Sequence, residues 1–600
     1  MNFNIYRYLR DSFILAITLI LCFDIIPSAF AQKSNLKTYA AKLSPNSVQL
    51  FFPLISKNTD TDLTVGFVEI TQAVQNSANS VTLVANRQTV IRIYPQANLK
   101  ATPNVYVSIS AYRGGSQISG SPLVIGPGMA PLTWSRADIN SSFNAYLPSA
   151  WLSGNVTLIT TVDPYNTIEE INNANNSTSN SLNFTPVPPL EITIVPIRYR
   201  HTDGKIYGPA SSSYIQSAFL RIYPVNLVNV FVHNPYNFYD GDLEEASSWI
   251  ELLDRITNIK TSEGAPDSTV YFGLIPLLDT SGNTWWNGGY AGLGWLSNPP
   301  NQIWREAIGL TDAYLKQYNY NLNGNDIVTH EVGHNFGRRH APCGNPDSVD
   351  PLYPYPGGKI GQYGFDPITF QAIPPTSYFD IMGYCDSNWI SDYTYLGLLQ
   401  NQAAYGAPEA LQESVDSLYI RAKIGNDGAV ELMPFYAFPN QSEILPKESE
   451  YYLELVDASG EIIAAYPIEV RVAESKNFQA KSIHTMIPTP SSPFTEMLLK
   501  RNGEVVSRRS NIQLEISKTS EPSIYLADGK IVLEWGVDEK PALVRYKIED
   551  SKMWTTLGID ILGGQILLDP LSLPKGKLIF EIILADSTTP IITIPLENNP

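Results

Sequence analysis

The stretch HEVGHNFGRRH, residues 330–340, decides how the middle of this chain folds. Residues four apart lie on one face of an α-helix, so His330 and His334 can each direct an imidazole nitrogen at a single metal ion. Gly337 tolerates the left-handed backbone that ends a helix. The chain can then return His340 to the same point. Three neutral imidazoles leave one coordination position open, which is typical of a catalytic zinc rather than a structural one.

Glu331 follows the first of these histidines and lies beside the ion rather than on it. A carboxylate there can take a proton from the water that attacks a substrate. Asp326, in the first turn of the same helix, is favourable for the helix dipole. The alternative interpretation is a helix whose histidines are merely satisfied within a core. The eleven-residue string favours the metal site, because it gathers three of the six histidines of the chain.

A second element is the segment DIMGYC, residues 380–385, in which Met382 lies 42 residues after His340. With this turn, the HExxHxxGxxH string resembles the metzincin clan of zinc metallopeptidases. The resemblance covers residues 190–405. It implies an α/β catalytic domain, one catalytic Zn²⁺ and a zinc metalloendopeptidase in which Met382 lies beneath the metal. It also implies that Tyr384 approaches the zinc or the transition-state oxyanion, the alternative being a core aromatic packed under the site.

The residue after the third histidine departs from the well-known subfamilies. Ala341 stands where adamalysin-like enzymes have Asp and astacins have Glu. We therefore assign no subfamily.

A substrate edge is also implied by the resemblance, since metzincins hold an extended peptide against the edge strand of a sheet. The best candidate is the glycine-rich segment 288–296, centred on Gly292, Leu293 and Gly294. Its glycines would allow a peptide backbone to approach closely. The alternative is an ordinary loop, because mixtures of glycine and aromatic residues are common in loops.

The N-terminus predicts export. Arg7 and Arg10 precede an apolar run over residues 13–23, and Ala29-Phe30-Ala31 provides a cleavage site, so residues 1–31 are predicted to be a secretory signal peptide. An uncleaved N-terminal anchor is the alternative. No later segment holds 18 consecutive apolar residues, so we expect no membrane span after signal removal and a secreted, extracellular protein.

Two cysteines, Cys343 and Cys385, remain after signal removal. An isolated pair in an exported protein is most simply a disulfide. Two buried free thiols are the alternative.

The domain organisation follows from composition and spacing. Residues 32–62 are predicted to be a linker. Short β-branched and aromatic runs separated by Gly, Pro, Asn and Ser predict an immunoglobulin-like β-sandwich over 63–188, where residues 163–173 resemble a bacterial adhesion-related sandwich family. Strand–helix alternation predicts an α/β unit over 190–405, followed by β-sandwiches over 415–518 and 521–600. The expected fold class is multidomain, an α/β metzincin-like catalytic domain flanked by all-β immunoglobulin-like sandwiches.

The charge balance restricts the partners. The formal net charge is −18, and no run of five Lys or Arg residues occurs, which disfavours nucleic acid as a partner. We expect a monomer acting on a protein or glycoprotein substrate. The alternative is a non-enzymatic surface adhesin with a relic zinc site, whereas a carbohydrate-active enzyme would need paired carboxylates in a cleft. The sequence leaves additional Ca²⁺, the cleavage specificity and the fate of any propeptide open.

Overall fold

A computed structural model describes most of the chain. The described residues are 60–300, 302–311, 324–407, 414–440, 445–475, 478–511, 522–535, 540–588 and 592–598. Contacts divide the chain into residues 1–58 and 59–600, and all described residues belong to the second unit. The predicted signal peptide and most of the linker over 32–62 lie outside the described residues.

The first described region holds two facing β-sheets. Its strands are β1 (Leu63–Thr71), β2 (Val74–Gln75), β3 (Leu83–Val84), β4 (Val90–Ala97), β5 (Thr102–Arg113), β6 (Ser116–Gln117), β7 (Leu123–Ala130), β8 (Phe143–Tyr146), β9 (Gly154–Val162) and β10 (Ser177–Thr185). One sheet has the order β1-β4-β8, and the other β3-β10-β9-β5-β6 with β7 also on β5. Alternating buried residues of both sheets, such as Ile91 and Ile109, meet in one core, as the period-2 pattern predicts.

The central region contains the four α-helices of the described residues. Its elements are β11 (Leu190–Arg200), β12 (Ile206–Tyr207), α1 (Ile215–Ile222), β13 (Val228–Val232), β14 (Tyr236–Phe238), α2 (Ala246–Glu263), β15 (Val270–Ile275), β16 (Gly292–Gly294), β17 (Glu306–Leu310), α3 (Gly324–Asn335), β18 (Tyr363–Asp366), β19 (Gln371–Ile373), β20 (Phe379–Asp380), β21 (Asn388–Trp389) and α4 (Asp392–Tyr405).

A seven-stranded mixed sheet organises this region, with the order β12-β11-β15-β17-β16 and with β13 and β14 also on β11. Strands β11, β15 and β17 are parallel, whereas β16 is antiparallel to β17. One core cluster combines β11 with α1 and α3, and a second combines the same strand with α2. Strand β15 is buried throughout, which agrees with the continuous apolar run in its sequence.

The last region is again built from facing sheets. Its strands are β22 (Val415–Ile424), β23 (Val430–Leu432), β24 (Tyr436–Asn440), β25 (Tyr451–Val456), β26 (Ile462–Ile468), β27 (Arg471–Ser475), β28 (Phe478–Pro488), β29 (Glu496–Arg501), β30 (Glu504–Ser510), β31 (Ser523–Ala527), β32 (Lys530–Glu534), β33 (Ala542–Ile548), β34 (Thr555–Ile561), β35 (Gln565–Leu568), β36 (Gly576–Leu584) and β37 (Ile592–Asn598).

Two pairs of sheets result. The first pair is β23-β22-β28-β27, with β24 on β22, facing β26-β25-β29-β30, and the second is β31-β32-β35 facing β34-β33-β36-β37. This region also packs against helix α2: the His484 ring lies 2.8 Å from Asp254 Oδ1, and the Ser262 hydroxyl lies 2.6 Å from that of Thr556.

The expected fold class, an α/β catalytic domain flanked by sandwiches, is wrong. The described chain is mostly β, a multi-sheet protein with 37 strands and four α-helices. The physical reason is that strands and helices alternate over only a short part of the chain. After β15 the chain returns to short β-branched and glycine-rich segments, whose period favours sheets. Within the described residues, no helix is both long enough and apolar enough to cross a membrane.

Candidate metal centre

The three predicted histidines meet at one point. His330 and His334 lie one turn apart on α3, with their Nε2 atoms 3.2 Å apart. Ligand nitrogens of these two residues and of His340 all lie within 4.8 Å of one another, and all three side chains are buried. The three imidazoles can therefore hold a metal ion.

The end of α3 explains how the third histidine arrives. Gly337 adopts a φ of +74°, as predicted. Its N–H donates to the His334 carbonyl at 2.9 Å, and the N–H of Arg338 donates to the Gly333 carbonyl at 3.0 Å. This pair of bonds is a Schellman motif. The motif stops the helix and turns the chain back, so that a ligand nitrogen of His340 reaches those of the first two imidazoles.

Each imidazole is fixed by a backbone carbonyl on its far nitrogen. The Nδ1 atoms of His330, His334 and His340 lie 2.7, 2.8 and 2.7 Å from the carbonyl oxygens of Ile381, Arg338 and Asp347. A carbonyl can only accept, so the proton resides on Nδ1 and the lone pair on Nε2. Partners of this kind orient metal-ligating histidines and fix their tautomer.

Burial keeps these ligands neutral. It lowers the pKa of His330 to about 4 and that of His340 to about 3, and it lowers the pKa of His334 well below its ordinary value. An unprotonated imidazole is the form that binds a metal ion. The donor set therefore fits a divalent metal at neutral pH.

Glu331 is buried against strand β16, with 7% of its surface exposed. Burial raises the pKa of its carboxyl group well above the ordinary value. A Cβ built on Gly292 would lie 2.6 Å from the carboxyl carbon of Glu331, and one on Gly294 would lie 2.7 Å from its backbone oxygen. Helix α3 thus rests directly on the two glycines.

This contact gives a different explanation for the presence of glycine at positions 292 and 294. The sequence suggested that Gly292 and Gly294 admit a substrate backbone. In the structure, the space that a side chain would fill at both positions is occupied by Glu331. The segment is the last strand of the mixed sheet, pairing with Ala307, Ile308 and Gly309. That a substrate peptide pairs with the backbone edge of this strand remains a prediction.

Met382 lies at the bottom of the site and is 1% exposed. A Cβ on Gly333 would lie 2.5 Å from its sulfur, so the glycine between the two helical histidines makes room for the methionine. Asp380 shapes the turn by accepting from the N–H of Met382 at 2.8 Å and from that of Ser391 at 3.0 Å. The preceding residue, Ile381, provides the carbonyl that orients His330.

Tyr384 and the disulfide connect this turn to the third ligand. The Tyr384 hydroxyl lies 3.1 Å from Nε2 of His340, and 37% of the residue is exposed. The structure joins Cys343 to Cys385 with a Cα–Cα distance of 5.5 Å. The Tyr384 N–H also donates to the Cys343 carbonyl, at 2.8 Å. The ligand loop and the methionine turn are thereby linked covalently and by hydrogen bonds.

Sequence reasoning missed several supporting residues. It did not find Asp380, whose carboxylate accepts from the backbone N–H groups of Met382 and Ser391, or Asp347, which acts through its backbone carbonyl and so leaves no side-chain signature. Gly333 could have been found, since a glycine inside a helix costs roughly 1 kcal/mol relative to alanine and usually has a packing reason.

No protein-family model matches the chain, and no curated protein matches it. A CARDB domain from Pyrococcus furiosus, crystallised in complex with di-metal ions, is 18% identical, with a TM-score of 0.14, and the match covers 21% of this chain and 96% of that one. A Ca²⁺-stabilised adhesin with which an Antarctic bacterium binds ice is 8% identical, with a TM-score of 0.13, over 89% of this chain and 98% of that one. An exo-chitosanase from Amycolatopsis orientalis is 10% identical, with a TM-score of 0.13, and the match covers 89% of this chain and 79% of that one.

The identification as a metzincin-clan zinc metallopeptidase flanked by immunoglobulin-like sandwiches is corrected, because β-sheets form most of the described chain, with 37 strands and four α-helices. The physical reason is that the string over residues 330–340 specifies a helix, its end and three ligands. It does not specify the fold that surrounds them.

Proposed function

We propose that this chain is a zinc-dependent peptidase that is exported from the cell and hydrolyses peptide bonds of extracellular proteins or glycoproteins. One observation carries the proposal. Three imidazoles converge with their Nδ1 atoms bonded to carbonyls, and a buried carboxyl group, that of Glu331, follows directly on the first of them in the chain. A purely structural site would need no such group.

Zinc is the metal that this donor set suits best. Three imidazoles favour zinc over magnesium or calcium, which prefer oxygen ligands. When bound, zinc supplies a Lewis acid and lowers the pKa of water to about 7. His330, His334 and His340 would hold it and leave a position open for chemistry.

The protein's own groups would perform the proton transfers. Glu331 would accept a proton from the attacking water and pass it to the leaving amine. Tyr384 would donate its hydroxyl hydrogen to the oxygen that becomes negatively charged at the scissile carbonyl. Export is supported by the disulfide between Cys343 and Cys385, because such bonds persist in oxidising compartments.

A non-enzymatic surface adhesin is the second candidate. The predominance of β-sheets on both sides of the metal centre favours it, since stacked β-domains are well suited to presenting a surface for binding. In that case the histidine site would stabilise the fold without turnover.

One experiment distinguishes the two functions. The purified chain is loaded with zinc, its metal content is measured by mass spectrometry, and it is incubated with a proteome-derived peptide library with and without a chelator. The peptidase predicts new cut sites that disappear with chelator and return when zinc is restored. Intact peptides in the presence of about one bound zinc per chain would contradict hydrolysis and favour the adhesin.

A further inference from the structure

Among the described residues, no strand pairs with the outer edge of β16 at Gly292 and Gly294. Its pairing with β17 is antiparallel, and the N–H of Trp295 donates to the Glu306 carbonyl while the Ala291 carbonyl accepts from Leu310. In such a ladder, alternate residues direct their polar backbone groups to opposite sides. The backbone groups of Gly292, Gly294 and Leu296 therefore point away from β17.

The third of these outward positions is already paired. The Leu296 N–H donates to the Val472 carbonyl at 2.8 Å, and Trp295 forms an antiparallel bridge with Ala473. Both partners belong to β27, which is part of the sheet formed with β22 and β28. A strand of the C-terminal β-region thus occupies part of the edge of β16 with which a substrate peptide would pair.

Strand β27 is firmly anchored. Arg471 donates to the Glu306 carboxylate at 2.7 Å, and the Lys260 ammonium lies 3.1 Å from the other oxygen of the same carboxylate. All three side chains are buried. Ala473 is also fully buried and packs in the core that contains Trp295. Because these contacts hold both ends of the junction, β27 is a fixed wall rather than a flap.

The wall lies a short distance from the reacting group. Glu331 packs on Gly292, and Leu296 follows four residues later, roughly 13 Å along a strand at about 3.3 Å per residue. A peptide added antiparallel to β16 has its amino-terminal side towards Leu296. It has room there for about three residues before it meets Val472.

From these contacts we infer that β27 closes one end of the cleft, so that the peptidase cuts polypeptides within about three residues of their amino terminus. This inference rests on the proposed function and narrows the endopeptidase expected from sequence. The substrate class is the free amino-terminal segment of a peptide or an unfolded chain end. An internal segment of a folded protein is excluded because it would have to pass through β27.

The test is a length series. Peptides built around the sequence that the library shows to be cut fastest are extended, on the amino side alone or on the carboxyl side alone, by up to about eight residues. We expect kcat/KM to fall at least tenfold once the amino side exceeds about three residues, with no fall on the carboxyl side. The Kd of the same peptides for Glu331→Gln, from fluorescence anisotropy, should show the same limit.

Two variants identify the wall. Arg471→Gln releases β27 from Glu306 and should relieve the penalty for long amino sides, whereas Arg508→Gln removes an exposed ion pair with Glu496, away from β27, and should leave the penalty in place. If Arg471→Gln does not fold, as judged by circular dichroism, the length series on the wild-type chain decides. Equal cleavage at all amino-side lengths would overturn the inference. Hydrolysis of none of the peptides would overturn the proposed function, and this inference with it.

Discussion

The hydroxyl oxygen of Tyr384 lies 3.1 Å from Nε2 of His340, the nitrogen through which that residue would bind a metal ion. A tyrosine hydroxyl at this position is within reach of any substrate oxygen that approaches the same ion. The exposed fraction of Tyr384, 37%, places its ring at the wall of the site rather than in the core. That Tyr384 acts in catalysis stays a prediction.

The first prediction concerns this hydroxyl. Tyr384→Phe should keep zinc and KM near their wild-type values while kcat falls by about 10²-fold, because one hydrogen-bond donor to the developing negative charge is lost. Metal analysis and steady-state kinetics on a library-derived peptide provide the measurement. Tyr355→Phe removes a hydroxyl that bonds to Asp392 instead and should leave kcat unchanged. An unchanged kcat in Tyr384→Phe would assign this residue to packing alone.

Glu331→Gln should retain zinc and the fold while turnover falls by roughly 10²–10⁴-fold, since the amide has the shape of the acid but cannot accept the proton. Zinc content, circular dichroism and peptide hydrolysis check this. The matched control is Glu504→Gln, a change at an exposed position on β30. If activity stays within about tenfold of wild type, another group is the base. If zinc is lost as well, Glu331 supports the ligands.

Metal binding should stabilise the fold through the three histidines. A ligand that binds only the folded state adds about 2.7 kcal/mol at a free concentration of 100 times its Kd, so the Tm of the wild-type chain should rise with added zinc. His334→Ala should lose the bound metal and this rise in Tm together. His201→Ala alters a histidine that pairs with Asp203 at the surface and should behave as the wild type. A zinc-dependent Tm in His334→Ala would place the metal elsewhere.

The disulfide closes a loop between residues separated by 42 positions. On the chain-entropy model its removal should lower the free energy of unfolding by about 4 kcal/mol. The double variant Cys343→Ser, Cys385→Ser should therefore unfold at lower denaturant concentration. Its affinity for zinc should also fall, because His340 lies three residues before Cys343. A reducing agent should reproduce the effect in the wild type and have none in the double variant. Free thiols in non-reduced peptide maps of the wild type would refute the bridge.

A pH dependence of stability should arise at His233. Its Nε2 lies 2.9 Å from Glu263 Oε1, and its Nδ1 lies 2.7 Å from the carbonyl of Asn234. Burial lowers the pKa of this imidazole, but attraction to Glu263 and the hydrogen bonds outweigh burial, so the pKa is raised. A raised pKa stabilises the fold fully below pH about 6.5, the unfolded value, and this contribution is lost as the pH rises through the folded pKa.

Urea unfolding measured at several pH values from about 5.5 to about 8.5 tests this. The difference in free energy of unfolding between wild type and His233→Gln should be largest at the acidic end and shrink as the pH rises. His201→Gln is the control. A difference that grows with pH would mean that His233 is neutral in the fold.

The metal ligands could be predicted from sequence because their geometry is local. The spacing of His330 and His334 is one helical turn, and Gly337 can end a helix by itself, so short-range backbone preferences specify most of the site. Local information ends there, since the same string says nothing about the sheets that surround it, and the fold class inferred from it was wrong.

What the sequence by itself determined is therefore the set of groups that converge: three imidazoles, the neighbouring Glu331 and the two cysteines. What only the tertiary structure decided is how those groups are held and reached. The carbonyls of Ile381 and Asp347 set the tautomers, Gly292 makes room for Glu331, and β27 pairs with the chain at Leu296. These contacts join residues far apart in the chain through backbone atoms and close packing. Neither periodicity nor residue type records them, because every residue carries the same backbone groups.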